Sequence, residues 1–85
     1  MSDLDAQFAQ AAKDVMTLTE EPDNTVKLKL YALYKQGSEG DVKGDKPGFF
    51  DFVGGAKYEA WEKLKGMDSQ QAKKDYIALV GKLTA

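Results

Sequence analysis

Residues 24–39 read NTVKLKLYALYKQGSE, and their apolar side chains recur at the three- and four-residue steps of an α-helix. Two neighbouring apolar stripes cover more of the helix circumference than a single core contact needs. The first stripe is formed by Val26, Leu30, Leu33 and Tyr34, and the second by Leu28, Tyr31 and Lys35. Asp23 and Asn24 are candidate N-caps, whereas Gly37 and Gly40 are predicted to weaken and then stop the helix.

The following segment, residues 40–53, reads GDVKGDKPGFFDFV and predicts a long loop, because its three glycines and one proline disfavour regular structure. Its phenylalanines, Phe49, Phe50 and Phe52, are too apolar for a free linker. We therefore expect this loop either to pack across the neighbouring helices with the phenylalanines as anchors or to have a function of its own.

The same apolar spacing predicts three further helices, over about residues 4–18, 55–65 and 69–83. Their apolar faces are formed by Phe8, Ala11, Ala12, Val15 and Leu18, then by Ala56, Ala60, Trp61 and Leu64, and finally by Ala72, Tyr76, Leu79, Val80 and Leu83. No stretch shows the sustained alternation of a strand. The sequence therefore predicts an all-α fold, a four-helix bundle that occupies residues 1–85 as one domain.

Polar residues and a glycine mark the ends of these three helices. Ser2 or Asp3 is placed to cap the first. Asp68 opens a capping box for the last helix, in which the side chain of Gln71 would reach back to the Asp68 amide. Gly66 is predicted to stop the helix before it.

The composition excludes several kinds of chemistry. The chain has no cysteine and no histidine, which removes disulfides, thiolates, the commonest metal ligand and the usual proton-transfer side chain. The formal net charge is −2 and all 12 cationic side chains are lysines, a poor basis for nucleic-acid binding. The carboxylates show no catalytic or calcium-binding spacing, so we expect no enzyme and no metal site. The start of the chain is acidic and no apolar run is as long as a membrane span, so a reducing cytoplasm is the expected compartment.

One group of side chains has the chemistry of a binding site. Tyr31, Tyr34 and Lys35 stand at positions i, i+3 and i+4 and are predicted to project from one side of their helix. A flat nucleotide base would lie on the tyrosines while a phosphate meets the lysine. The competing interpretation is that the tyrosines belong to the core and the lysine is solvated.

Two further positions are candidates for the same site. Lys57 precedes Trp61 by one helical turn, so its aliphatic stem is predicted to pack on the indole with the ammonium outward. A plain surface lysine over a core tryptophan is the alternative. Tyr76 lies in an apolar stripe, so its ring is expected in the core and only its hydroxyl is a candidate ligand contact.

The order of these motifs resembles the signature of acyl-CoA-binding proteins. YALYKQ at 31–36, GD at 40–41, PGFFD at 47–51 and GGAKYEAW at 54–61 follow one another as in that family, whose pattern is Tyr-x-x-Tyr-Lys-Gln, a Gly-Asp turn, an Arg/Lys-Pro-Gly loop and Ala-Lys-Trp-x-Ala-Trp. The resemblance covers about residues 8–83.

This resemblance implies an up-down-down-up bundle with a long overhand connection between the second and third helices. It implies a carrier and pool former for medium- and long-chain fatty acyl-CoA esters: cytoplasmic, monomeric, non-catalytic, without a cofactor, and in at most transient contact with membranes or acyl-CoA enzymes. Tyr31, Lys35 and Lys57 match positions that contact the adenine and the 3′-phosphate. Tyr34 matches a neighbouring contact and Tyr76 a polar contact from the last helix. The acyl chain would lie along the second and third helices.

The chain departs from the family pattern at several positions. Tyr58 replaces a tryptophan, Gly37 and Ser38 replace an Ala-Thr pair, Lys46 replaces an arginine, and Met16 and Val53 replace lysines. Fewer cationic contacts imply a weaker hold on the CoA phosphates. The alternative function is a helical protein–protein interaction module whose apolar groove receives a partner helix.

Overall fold

The computed structural model describes residues 3–85, which form four α-helices and no strand. The helices are α1 Leu4–Asp14, α2 Asn24–Glu39, α3 Phe52–Glu62 and α4 Ser69–Thr84, with a 3-10 turn at Val15–Thr17 continuing α1. The predicted all-α four-helix fold, with its long connection between the second and third helices, is confirmed. Across residues 3–85, none of the helices combines the length and apolarity required to cross a bilayer.

The core lies where α4 packs against α1 and α2, whereas α3 packs against α2. The buried side chains come from the predicted apolar stripes, since amphipathic helices turn those faces away from water. The main core cluster consists of Phe8 and Ala11 of α1, Leu30 and Leu33 of α2, and Ala72, Tyr76 and Val80 of α4. Ala32, Gln36 and Trp61 are also buried. The shape is flattened, with extents of 39 × 32 × 15 Å along its principal axes.

The second helix begins and ends where the sequence predicts. The Asp23 carboxylate accepts the N–H of Val26 at 2.9 Å, which satisfies one of the free amides of the first turn. Gly40 ends the helix with φ +84°, a conformation that favours glycine.

Gly37 lies inside α2 and does not interrupt it. A Cβ there would come within 3.0 Å of Lys73 Cγ and 3.2 Å of Phe8 Cζ. The missing side chain therefore allows the Phe8 ring of α1 and the Lys73 side chain of α4 to pack against the α2 backbone, which is a packing role and not the weakening that the sequence suggested.

The third helix was predicted from residue 55 and begins instead at Phe52. The Asp51 carboxylate accepts the N–H of Gly54 at 2.8 Å and caps the helix, which offsets the low helix propensity of the two glycines that follow Val53. At its other end the helix gives way to turns over residues 63–66, so its predicted extension to residue 65 was also wrong.

Capping at the other two helices follows the prediction only in part. Asp68 accepts the N–H of Gln71 at 3.3 Å, but the Gln71 amide donates to Asp75 instead of reaching back. Asp3 precedes α1 without a side-chain cap hydrogen bond, and the candidate Ser2 lies outside the described residues.

Of the two alternatives predicted for the long loop, the one in which its phenylalanines are anchors was wrong. Phe49, Phe50 and Phe52 are 84, 86 and 74% exposed. Polar contacts hold the loop instead: the Trp61 indole donates to the Gly40 carbonyl at 2.8 Å and the Tyr58 hydroxyl donates to the Gly44 carbonyl at 3.0 Å. An ion pair between Lys46 and Glu59 adds a third contact with α3.

A buried glutamine connects the start of this loop to the turn after α3. Gln36 is fully buried, and its amide nitrogen donates to the Met67 carbonyl at 2.8 Å and to the Asp41 carboxylate at 2.9 Å. The Gly66 N–H donates to the same carboxylate oxygen at 2.8 Å. These bonds hold the pKa of Asp41 below its ordinary value of 3.8, with the Gly66 amide as the main cause and Gln36 as the second.

Asp41→Asn should remove part of the acid sensitivity of folding. A depressed folded-state pKa means that Asp41 stabilises the fold above about pH 3.8 and that this contribution is lost as the pH falls through the lower folded-state value. The amide keeps an oxygen acceptor but cannot ionise, so the variant should melt below wild type at neutral pH and approach it in strong acid. Thermal melts from neutral to strongly acidic pH measure the difference in melting temperature between the variant and wild type. Asp45→Asn in the same loop is the control. A difference in melting temperature between wild type and Asp41→Asn that stays the same at every pH would contradict the assignment.

Candidate functional site

Two lysines and two aromatic rings pair across the contact between α2 and α3. The ammonium of Lys57 on α3 lies 5.3 Å from the ring centroid of Tyr31 on α2. The ammonium of Lys35 on α2 lies 5.0 Å from the ring centroid of Trp61 on α3. Each helix thus places a cation over an aromatic face of the other, at a distance where the ring quadrupole attracts it.

This pairing differs from the predicted packing of Lys57 on Trp61. Lys35 approaches the Trp61 face from the neighbouring helix, and the Lys57 ammonium extends to Tyr31. Sequence spacing compares residues within one helix, so it gave no sign of these cross-helix partners.

Lys35 has an acidic partner that the sequence analysis missed. Its ammonium forms an ion pair with Glu39, one turn further along α2. Hydrogen bonding to Glu39 raises the pKa of Lys35 above its ordinary 10.5, burial works in the opposite direction, and Tyr31 and Tyr34 add small attractive contributions. Lys35 is therefore charged at neutral pH, and the i, i+4 spacing of Lys35 and Glu39 was the signal that would have revealed the pair.

Tyr34 and Tyr76 form a second aromatic group with Phe8 of α1. The Tyr34 ring stacks on Phe8 with centroids 5.2 Å apart and lies 5.7 Å from the Tyr76 ring. Tyr76 meets Phe8 edge-on at 5.2 Å and is only 4% exposed, which agrees with the predicted core position of its ring. Burial, and secondarily Tyr34, raises the pKa of Tyr76, so its hydroxyl stays protonated and able to donate.

The five predicted contact residues therefore fall into two groups. Lys57, Tyr31 and Lys35 lie at the α2–α3 contact, whereas Tyr34 and Tyr76 lie between α2, α1 and α4. Lys35 lies between the groups along α2, one residue after Tyr34 and one helical turn after Tyr31. The prediction that Tyr31, Tyr34 and Lys35 share one side of the helix thus needs refinement, since the two tyrosine rings have different neighbours.

An apolar groove begins beside Lys57. Its cavity of about 440 Å³ lies between the first turns of α2 and α3. Its lining consists of Asn24, Lys27, Leu28, Phe52, Val53, Ala56 and Lys57, and we call it the α2–α3 groove. A larger cavity of about 510 Å³ shares Leu28 and Ala56 with it and continues between α2, α3 and the start of α4, but contains none of the five predicted residues.

Cationic and aromatic side chains at one end of an apolar groove suit an amphiphile with an anionic, partly aromatic head and an apolar tail. Within residues 3–85, no cluster of acidic side chains could hold a metal ion. The fold and site together define a small helical domain that binds an amphiphilic ligand.

Comparison with known proteins assigns the family. A family model described as Acyl CoA binding protein matches residues 5–80. Acyl-CoA-binding protein homolog 1 of Caenorhabditis elegans is 51% identical over 78 residues, which cover 92% of this chain and 91% of that protein. The chain therefore belongs to the acyl-CoA-binding protein family, which confirms the resemblance and the acyl-CoA-binding function predicted from the sequence.

Solved structures show the same fold. The crystal structure of Oryza sativa Acyl-CoA-Binding Protein 2 superimposes with a TM-score of 0.90 at 36% identity, over 94% of this chain and 89% of that one. Enoyl-CoA delta isomerase 2 of Rattus norvegicus also matches, at 45% identity over 92% of this chain but only 20% of its own length. That likeness is confined to a fifth of the isomerase and gives no support for catalysis by this chain.

Proposed function

We propose that this chain is a monomeric, cytoplasmic carrier and pool former for medium- and long-chain fatty acyl-CoA, which it binds as one domain and does not convert. The observation on which this depends is the reciprocal pairing of Lys35 with Trp61 and of Lys57 with Tyr31, in which Lys57 also lines the apolar α2–α3 groove. One ligand with a nucleotide head and a fatty tail would occupy both parts.

Of the two site lysines, Lys57 is the more available to a phosphate. Among the described residues it has no carboxylate partner, and its ammonium is held only by the Tyr31 ring. Lys35 already forms an ion pair with Glu39, so a phosphate would have to compete with that carboxylate for the Lys35 ammonium. The Tyr31 ring offers its exposed parts to the adenine, and we assign the 3′-phosphate to Lys35 and Lys57 together.

The second aromatic group would close the site on the other side of α2. Tyr34 is 40% exposed and is supported from beneath by Phe8 and Tyr76, so its free edge can meet the ligand. The protonated Tyr76 hydroxyl would donate one hydrogen bond from α4. Tyr34 and Tyr76 thus remain proposed polar and stacking contacts.

The fatty chain would lie along the α2–α3 groove. Leu28, Val53 and Ala56 line it with apolar surface, and Lys57 stands at the end nearest the proposed phosphate site. Val53 supports this placement of the fatty chain, because its apolar side chain extends the apolar lining of the groove. The residues supply no nucleophile–base pair beside the groove, which favours carriage over turnover.

Replacing either site lysine should weaken palmitoyl-CoA binding without unfolding the protein. For Lys35→Ala and Lys57→Ala we expect a five- to twentyfold rise in Kd, or about 1–2 kcal/mol, the range of a partly solvated charge-assisted contact. Melting temperatures should change little, because exposed ion pairs and cation–π contacts contribute about 1 kcal/mol or less. Titration calorimetry and thermal melts measure the two effects separately.

The matched control is Lys74→Ala, an exposed lysine of α4 for which the described residues show neither an ion pair nor a ring contact. It removes the same charge from the protein, so an equal loss of affinity would mean that only net charge matters. A large drop in melting temperature for Lys35→Ala would instead assign Lys35 a structural role. Native mass spectrometry of the purified protein tests for a retained acyl-CoA, whereas an empty protein with a stable peptide partner would favour the interaction module.

A further inference from the structure

A carboxylate stands beside one of the two site lysines. Glu39, the last residue of α2, forms an ion pair with Lys35 one helical turn before it. The two side chains are 40 and 24% exposed, so a ligand can reach the pair. Lys57, the other site lysine, has no carboxylate partner in the described part of the chain. The two site lysines therefore offer a phosphate one compensated and one uncompensated positive charge.

The stability of α2 gives no reason for this carboxylate. A negative charge in the last turn of a helix lies at the negative end of the helix dipole, and Glu39 occupies that turn. For ion pairs four residues apart, an acid that precedes its base stabilises a helix more than the reverse order, yet here Lys35 precedes Glu39. Exposed ion pairs also add little to the free energy of folding. Glu39 therefore acts mainly on the charge of Lys35 and only weakly on the fold.

The electrostatics of the pair show that both groups are charged. Hydrogen bonding to Lys35 is the main cause that lowers the pKa of Glu39 below its ordinary 4.5, and hydrogen bonding to Glu39 raises the pKa of Lys35. Lys43, in the loop after α2, also lowers the pKa of Glu39. Lys43 forms no ion pair within residues 3–85, so it is placed to accept the carboxylate once Lys35 meets a phosphate.

We propose that Glu39 is a built-in competitor of the 3′-phosphate and lowers the preference of this site for thioesters of CoA over those of dephospho-CoA, which lack that phosphate. This inference rests on the proposed carrier function. A 3′-phosphate must displace Glu39 from Lys35 and then remains close to its carboxylate, so two like charges oppose each other in a partly solvated site. A dephospho-CoA ester carries no charge at this point. The chain should therefore accept both classes of long-chain thioester, with only a modest preference for CoA.

Titration calorimetry of the full chain with palmitoyl-CoA and with palmitoyl-dephospho-CoA tests this proposal. Glu39→Gln keeps the length of the side chain but removes its charge. It should lower the Kd of palmitoyl-CoA about fivefold and leave that of palmitoyl-dephospho-CoA within about twofold of wild type, the scale expected for a like charge near a partly solvated anion. Raising the ionic strength should reduce the gain, because salt screens exposed charges.

Glu20→Gln is the matched control. Glu20 is an exposed carboxylate between α1 and α2, without an ion pair among the residues that the structure describes. The variant removes the same charge from the chain, so an equal gain in affinity would assign the effect to net charge and overturn the proposal. Thermal melts verify that each variant is folded. Glu39→Gln should melt at or above the wild-type temperature, and a large fall would make Glu39 a structural residue and likewise overturn the proposal.

The two ligands also separate this inference from the carrier function. An unchanged Kd for palmitoyl-CoA in Glu39→Gln, or an equal gain for both ligands, would overturn the role of Glu39 and leave the carrier function intact. Wild type that fails to bind palmitoyl-CoA would instead refute the carrier function itself, and this inference with it.

Discussion

Palmitoyl-CoA is expected to bind about 1,000-fold more tightly than acetyl-CoA, a difference of about 4 kcal/mol. The two ligands share the same nucleotide head, so the difference reports only the additional fatty chain. Complete burial of fourteen methylenes would contribute roughly 11 kcal/mol at about 0.8 kcal/mol each. The α2–α3 groove is open on one side and the chain loses rotational freedom on binding, so we expect less than half of that amount.

Titration calorimetry over a series of chain lengths measures this effect. Each pair of added carbons should lower Kd by a similar factor until the groove is filled, with a heat-capacity change that becomes more negative along the series. Free CoA and free palmitate should both bind weakly, since each occupies only one part of the site. Equal affinities for acetyl-CoA and palmitoyl-CoA would contradict the groove as the site of the chain.

Two variants separate the head from the tail in the same series. Val53→Ser places a hydroxyl in the groove lining. It should therefore weaken the binding of palmitoyl-CoA and leave the affinity for acetyl-CoA unchanged. Lys35→Ala removes a head contact that lies outside the groove lining, so it should weaken the binding of both ligands by the same factor. If Val53→Ser weakened both ligands equally, Val53 would contact the head and the proposed direction of the ligand would be reversed.

The sequence predicted those parts of the fold that depend on local periodicity. Apolar residues at helical spacing located the core faces of α1, α2 and α4, and Tyr76 was placed in the core because its stripe was unambiguous. The limits of α2 were correct because two local signals, a capping aspartate and a glycine at positive φ, fix them. Such features are encoded within a few residues and do not depend on the other helices.

Features that depend on tertiary contacts were harder to predict. The start of α3 was placed too late, because Phe52 and Val53 were assigned to the loop and Asp51 was not recognised as the cap of a helix that runs through Gly54 and Gly55. Lys57 was paired with Trp61 along one helix, whereas Lys35 reaches that ring from another. One of the two alternatives for the long loop made its phenylalanines the anchors because they are apolar, but the loop is held by hydrogen bonds from Trp61 and Tyr58.

Trp61→Ala is expected to remove most of the stability of the fold. Trp61 is 6% exposed, and replacing a buried tryptophan by alanine costs about 3–5 kcal/mol. The change also removes the hydrogen bond that the indole N–H donates to the Gly40 carbonyl. It removes as well the aromatic ring that the Lys35 ammonium contacts. A domain of 85 residues buries a small core, so its total stability is expected near the lower end of the usual range of about 5–15 kcal/mol.

Urea denaturation followed by circular dichroism measures this loss, and Trp61→Phe is the matched variant. Phenylalanine keeps most of the buried ring but cannot donate to Gly40, so it should lower the free energy of unfolding by about 1–2 kcal/mol and remain folded. The contrast separates ring packing from the hydrogen bond that holds the start of the long loop. If the free energy of unfolding of Trp61→Ala lay within about 1 kcal/mol of the wild-type value, the contact between α2 and α3 would not depend on this ring. The two lysine–aromatic pairs would then need another support, because Trp61 is the only one of the two rings that is buried.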